Sequence, residues 1–190
     1  MPTIMLGTHV SGLAAARMPG FTLVELMVTV FVASVLLAVA VPSFSRMMVT
    51  SRVSAQANEL VAAINFARSE AIKRNTSMAL CRASGANATD CTSPQTGDWQ
   101  FWIVRPVAAG GTVVRRGVIN QFSNALAVRS TLDGDLVVFG PDGLARTGGA
   151  VIDEEQINVC STRSADPETR RRIMLGVGSR LITEPFEGDC

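Results

Sequence analysis

Tyrosine is absent from these 190 residues, lysine occurs once, at Lys73, and histidine once, at His9. General acid–base and nucleophilic catalysis lean on those side chains, so an enzyme of the usual kinds is disfavoured from the outset. Charge is scarce too: Asp, Glu, Lys and Arg make up 17% of the chain, and 17 basic against 16 acidic residues leave a formal net charge of +1. No global field steers a polyanion or a membrane surface. Aromatic residues are only 5%, yet hydrophobic residues reach 47%, which excludes a disordered, charge-rich tail. The four cysteines form no CxxC pair, so a zinc site has little support and no cofactor is expected.

What is present is concentrated near the start. Residues 26–45, LMVTVFVASVLLAVAVPSFS, are 20 uncharged residues in a row, which as a helix span about 30 Å, one bilayer crossing. A buried core helix is the competing explanation, but core helices seldom stay charge-free for so long. A secretory signal peptide fits poorly, because residues 1–20 are weakly polar and end in Arg17-Met18-Pro19-Gly20 before the apolar run begins. Any cut therefore falls ahead of the hydrophobic segment and leaves it in the mature chain. Arg17 is the one charge on that side, and it favours an N-terminus in the cytoplasm. Glu25 stands alone beside the run; a carboxylate within a membrane costs about 3 kcal/mol and needs either a partner or a route to the interface. An ammonium freed at Phe21, one helical turn away, or the equivalent amine of a neighbouring subunit, is the partner expected.

Gly20-Phe21-Thr22-Leu23-Val24-Glu25-Leu26, followed by the apolar run and Pro42, resembles the class III signal of type IV prepilins and type II secretion pseudopilins. Asn58-Glu59-Leu60 and Ala67-Arg68-Ser69-Glu70-Ala71-Ile72-Lys73-Arg74-Asn75 resemble the signature of GspH/FimT minor pilins and pseudopilins. Phe139-Gly140-Pro141-Asp142-Gly143 and Arg172-Ile173-Met174-Leu175 match more loosely. The resemblance implies cleavage by a prepilin peptidase between Gly20 and Phe21, N-methylation of Phe21, assembly guided by Glu25, and a helix bent at Pro42. It also implies a subunit of a type IV pilus or a type II secretion pseudopilus, with the N-terminal motif common to both machines.

Between Gly20 and Gly85 there is no glycine and one proline, which predicts a continuous Pro42-bent helix of roughly 50 residues. Its second half repeats Val53, Ala57, Leu60, Val61, Ile64, Ala67, Ala71 and Ile72 at three- and four-residue spacing, an apolar face that needs a sheet to lie on. Glu70 and Arg74, at i and i+4, read as solvated surface. Beyond Asn75, strands are expected near 77–83, 99–105, 112–119, 126–131, 135–140, 155–160, 171–177 and 179–183. The fold class is therefore α+β, and the resemblance makes it type IV pilin-like: a leader at 1–20, a transmembrane assembly helix at 21–45, an amphipathic helix at 46–75, and an antiparallel sheet domain at 76–190.

Four cysteines allow three pairings. Cys81–Cys91 and Cys160–Cys190 are favoured, the first closing a short loop and the second tying the last residue in the sequence to an inner strand. Disulfides require an oxidising compartment, in agreement with a single-pass inner-membrane protein whose C-terminal domain is periplasmic. The expected function is a non-enzymatic subunit with the inner membrane, a prepilin peptidase and other pilins as partners. The alternative is DNA capture in natural transformation through Arg163, Arg170, Arg171, Arg172 and Arg180. DNA-binding relatives carry Gly-Arg-x-Arg, whereas the nearest stretch here is Gly178-Ser179-Arg180-Leu181. Alternation along a strand also turns Arg171 away from Arg170 and Arg172.

Overall fold

The computed structural model describes residues 20–91, 97–119, 125–164, 166–188 and 190, except for the side chains of residues 39, 41 and 42. The expected leader, with His9 and Arg17, lies outside the described residues apart from Gly20. Helix α1 spans Leu23–Arg74, 52 residues, and stays helical through position 42. The Pro42 side chain, and with it the expected bend, falls outside the description. The chain divides into two units, one through Ser43 and one from Phe44 to Cys190.

In the first unit the helix is apolar and exposed on every side, with Leu23, Leu26, Val30, Phe31 and Leu37 open to the surroundings. It is long and apolar enough to cross a membrane, and none of its most apolar stretch is buried. Two of its hydroxyls are satisfied within the helix: Thr29 Oγ1 donates to the Leu26 carbonyl at 2.9 Å and Ser34 Oγ to that of Phe31 at 2.7 Å. A polar group so paired loses little on entering hydrocarbon.

In the second unit Val53, Ala57, Leu60, Ala63, Ile64, Ala67 and Ala71 are buried, a stripe of the expected spacing. Small alanines let the sheets approach the helix closely. Ile72 departs from expectation: it is 53% exposed, on a side of the last turn that faces away from buried Ala71 and lies beside the Pro141-Asp142-Gly143 turn, where a Cβ on Gly143 would lie 2.9 Å from Ile72 Cδ1. The helix stops at Asn75, which takes a φ of 51°. Asn75 N–H donates to the Ile72 carbonyl and Thr76 N–H to that of Ala71, the paired bonds of a Schellman cap.

Among the described residues ten strands follow: β1 (Met78–Ala83), β2 (Phe101–Pro106), β3 (Arg115–Val118), β4 (Leu126–Ser130), β5 (Leu136–Phe139), β6 (Ala145–Thr147), β7 (Ala150–Val151), β8 (Glu154–Ser161), β9 (Arg170–Gly176) and β10 (Arg180–Glu184). They form the expected antiparallel sheet domain as two sheets, ordered β3-β2-β1-β5-β6-β7 and β10-β9-β8-β4. The split arises at the 3-10 turn Asp133–Asp135, where Gly134 and Asp135 both take positive φ. That left-handed backbone sends β5 away from β4 to pair with β1. β6 and β7 went unread in the sequence, since two or three residues are too short to show alternation.

One core joins α1 to both sheets through Leu80, Trp102, Val104, Val137 and Phe139 on one side and Val128, Ile157, Val159, Ile173 and Leu175 on the other. Trp99 lies just before β2, buried in that core, and its N–H donates to the Val128 carbonyl across the two sheets.

Candidate functional site

At the start of α1, Thr22 Oγ1 accepts the Glu25 N–H at 3.2 Å. Thr22 is therefore the N-cap and Glu25 the third helical residue, the T-x-x-E order of a capping box, with Phe21 and Leu26 at the hydrophobic-staple positions. The positive end of the helix dipole favours a carboxylate there. Gly20 and Phe21 precede the helix and are exposed, so the bond expected to be cleaved lies outside it on open chain. Reading the sequence for Glu25 alone missed Thr22, although the three-residue spacing was a signal for it.

The four cysteines are bonded as Cys81–Cys91 and Cys160–Cys190, ten and thirty residues apart. Each bond fastens a segment over the outer face of one sheet. On the larger sheet, Ala88 and Cys91 pack on a second small core of Cys81, Ala83 and Ile103. Arg105 pairs with Asp90, and Arg116 Nη1 donates to the Ala86 carbonyl at 2.8 Å. The Thr89 hydroxyl and then the Arg105 guanidinium hold the Asp90 carboxyl below its usual range.

The five arginines proposed for DNA are not gathered into one surface. Arg163 and Arg180 are exposed, but Arg180 pairs with Gly176 at the far end of β9 from Arg170, six residues or about 20 Å along a strand. Arg171 faces opposite to its neighbours and donates to the carbonyls of Glu168 and Arg170. Arg172 lies with its guanidinium carbon 4.6 Å from the Phe186 ring centroid. Half-burial and pairing leave this run little free charge to offer phosphates.

Glu70 corrects another expectation. The residue is only 8% exposed, not solvated, because Arg74 Nε bonds it at 2.5 Å and Lys73 Nζ lies 3.7 Å away, both folded across it. The Arg74 hydrogen bond holds its carboxyl below the ordinary value. Sequence reading also missed Asp135, which accepts from Trp99, Ser130 and Arg82; no local pattern links those positions. Among the described residues no three His, Cys, Asp or Glu side chains gather as metal ligands. Asp153 and Glu154 are exposed, and the Glu155 carboxylate accepts from the Thr131 hydroxyl.

A family profile described as Type II transport protein GspH matches residues 56–176, and one described as Prokaryotic N-terminal methylation motif matches residues 17–41, the stretch holding Gly20, Phe21 and Glu25. No curated protein matches by sequence. Among solved structures, the type IV minor pilin FimU of Pseudomonas aeruginosa is similar at 17% identity with a TM-score of 0.50, covering 74% of this chain and 91% of that one. The minor pseudopilin EpsH of the Type 2 Secretion System of Vibrio cholerae aligns at 8% identity and a TM-score of 0.46, covering 70% and 97%. The first likeness is one of fold, a long N-terminal helix with antiparallel sheets. With a profile matched over well more than half its length, the chain belongs to the GspH family of minor type IV pilins and type II secretion pseudopilins.

Proposed function

We propose that this protein is a non-enzymatic minor subunit of a type IV pilus or type II secretion pseudopilus, built into the filament through its N-terminal helix. The observation that carries the reading is an apolar helix, exposed on all sides, with one carboxylate, Glu25, in its first turn. Left alone, that helix must stay in lipid; bundled with like helices, it buries both its apolar surface and the carboxylate.

In this reading a prepilin peptidase hydrolyses the Gly20–Phe21 amide, and the new Phe21 amine is methylated. Glu25 neutralises that amine on an adjacent subunit. Before assembly the protein crosses the inner membrane once, N-terminus in the cytoplasm and sheet domain in the periplasm, where the two disulfides are stable. Proline at position 42 removes one helical hydrogen bond and lets the stalk bend there. The test is Glu25→Ala in cells: the variant is expected to insert, fold and form both disulfides, yet be missing from sheared or purified filaments. Normal incorporation of the variant overturns the reading.

A further inference from the structure

The outer face of the four-stranded sheet carries polar side chains beneath a segment with no secondary structure of its own. Register sets Arg129, Asn158, Arg172 and Glu184 abreast across β4, β8, β9 and β10, with Ala127, Cys160 and Arg170 in the next row. The ladder ends at Glu184. Two residues on, Phe186 is buried against Arg172, and four further on Cys190 is bonded to Cys160 while its carbonyl accepts from Arg129 Nη1 at 2.6 Å. The segment therefore passes from β10 over β9 and β8 to β4.

The cover is poorly matched to what lies on that face. Arg170 Nε, Arg172 Nε and Asn158 Oδ1 are buried with no hydrogen-bond partner among the described residues. Together these three atoms oppose closure by an amount comparable to what burial of one phenylalanine, its contact with a guanidinium and the Arg129 hydrogen bond contribute. The non-covalent contacts are near balance, and the covalent bond to Cys160 holds the segment down by keeping Phe186 at high effective concentration over Arg172. No sheet pairing depends on the segment, so its release leaves the ladder whole.

We propose that the segment after Glu184, described at residues 185–188 and 190, is a disulfide-latched lid, and that a dithiol reductant opens it to bare Arg170 and Arg172 while the two-sheet fold stays intact. A thiolate of the dithiol attacks Cys190 Sγ, the more accessible sulfur, since Cys160 is buried. Cys160 leaves as a thiolate; the second thiol of the reductant resolves the mixed disulfide and releases the Cys190 thiolate. Two electrons pass from the dithiol, which departs as a disulfide, and the two cysteines take up its two protons. The inference rests on the fold and stands apart from any role in a filament.

The test is arginine modification by phenylglyoxal on the full chain in detergent, read by peptide mass spectrometry. Three samples are compared: oxidised protein, folded protein reduced in place by dithiothreitol, and Cys190→Ser. The reduced protein and the variant are expected to modify Arg170 and Arg172 about tenfold faster than the oxidised protein, as local opening requires. Arg82, buried beside the core, is expected to keep its slow rate. Agreement between the two open forms separates this latch from Cys81–Cys91, and reduction in place supplies the answer if the variant does not fold. Unchanged rates at Arg170 and Arg172 overturn the proposal. So does a parallel rise at Arg82 with loss of cooperative unfolding, which would make the bond a staple of the whole fold.

Discussion

Trp99 donates its indole N–H to Asp135 Oδ1 at 2.9 Å, binding the approach to β2 to the turn where the chain leaves one sheet for the other. The same carboxylate accepts from Ser130 Oγ at 2.7 Å and from Arg82 Nη1 at 3.3 Å, and Arg82 also holds the Gly97 carbonyl at 2.9 Å. One acid thus gathers β1, β4 and the crossover.

Removing it is costly for that reason. Asp135→Ala strips three donors of their acceptor near the core and puts alanine at a φ of 53°, so a loss of about 3–5 kcal/mol in stability is expected. Asp135→Asn keeps an oxygen for Trp99 and Ser130 and tolerates the left-handed backbone, and should lose much less. Urea unfolding followed by tryptophan fluorescence measures both.

Gly117 is pinned by the opposite constraint, lack of space. A Cβ there would stand 2.3 Å from Cε2 and Cζ2 of the Trp102 indole, which lies over it from the paired strand. Gly117→Ala is expected to destabilise by about 1–3 kcal/mol through overpacking. Adding Trp102→Leu should recover part of that loss, and a double-mutant cycle reads the coupling.

The Pro141-Asp142-Gly143 turn gives a pH signature. Arg146 first, and then the Leu144 N–H, hold the Asp142 carboxyl down at about 2. A depressed folded-state value means that its stabilising contribution is complete above the unfolded value near 3.8 and fades as pH falls towards 2. Asp142→Asn should therefore lower the urea midpoint at pH 6, with the gap to wild type narrowing below pH 4 and closing near pH 2. Glu70→Gln should behave in the same sense, its window opening below 4.5 as the bonded Arg74 loses its partner.

Disulfide mapping gives a further check. Alkylated peptides from non-reduced protein are expected to carry the links Cys81–Cys91 and Cys160–Cys190. Removing the first by Cys81→Ser and Cys91→Ser together should cost about 3 kcal/mol by loop closure. Four free thiols in periplasmic material would contradict both the pairing and the compartment.

Much of the architecture was legible because it depends on local pattern. The helix showed as a glycine-free stretch with three- and four-residue spacing, and Leu60, Ile64 and Ala67 are buried where that spacing put them. Most strands fell near their expected positions, since each is long enough to alternate. Glu70 was misread because burial of an acid depends on where Arg74 and Lys73 fold, and exposure of Ile72, next to buried Ala71, depends on which side of the last turn the sheets cover. Thr22 was legible and passed over.

By itself the sequence determined most of the elements: an apolar helix of bilayer length, one acid at its head, and strands long enough to alternate. These are properties of contiguous residues, set by periodicity and hydrophobicity. Only the tertiary structure decided that the strands divide into two sheets and that two straps cover their outer faces. It also drew Arg82, Trp99, Ser130 and Asp135 to one point, and set Phe186 over Arg172. Those outcomes turn on two left-handed residues at a crossover and on which distant side chains end up adjacent, and contacts between residues far apart in the chain leave no local pattern to read.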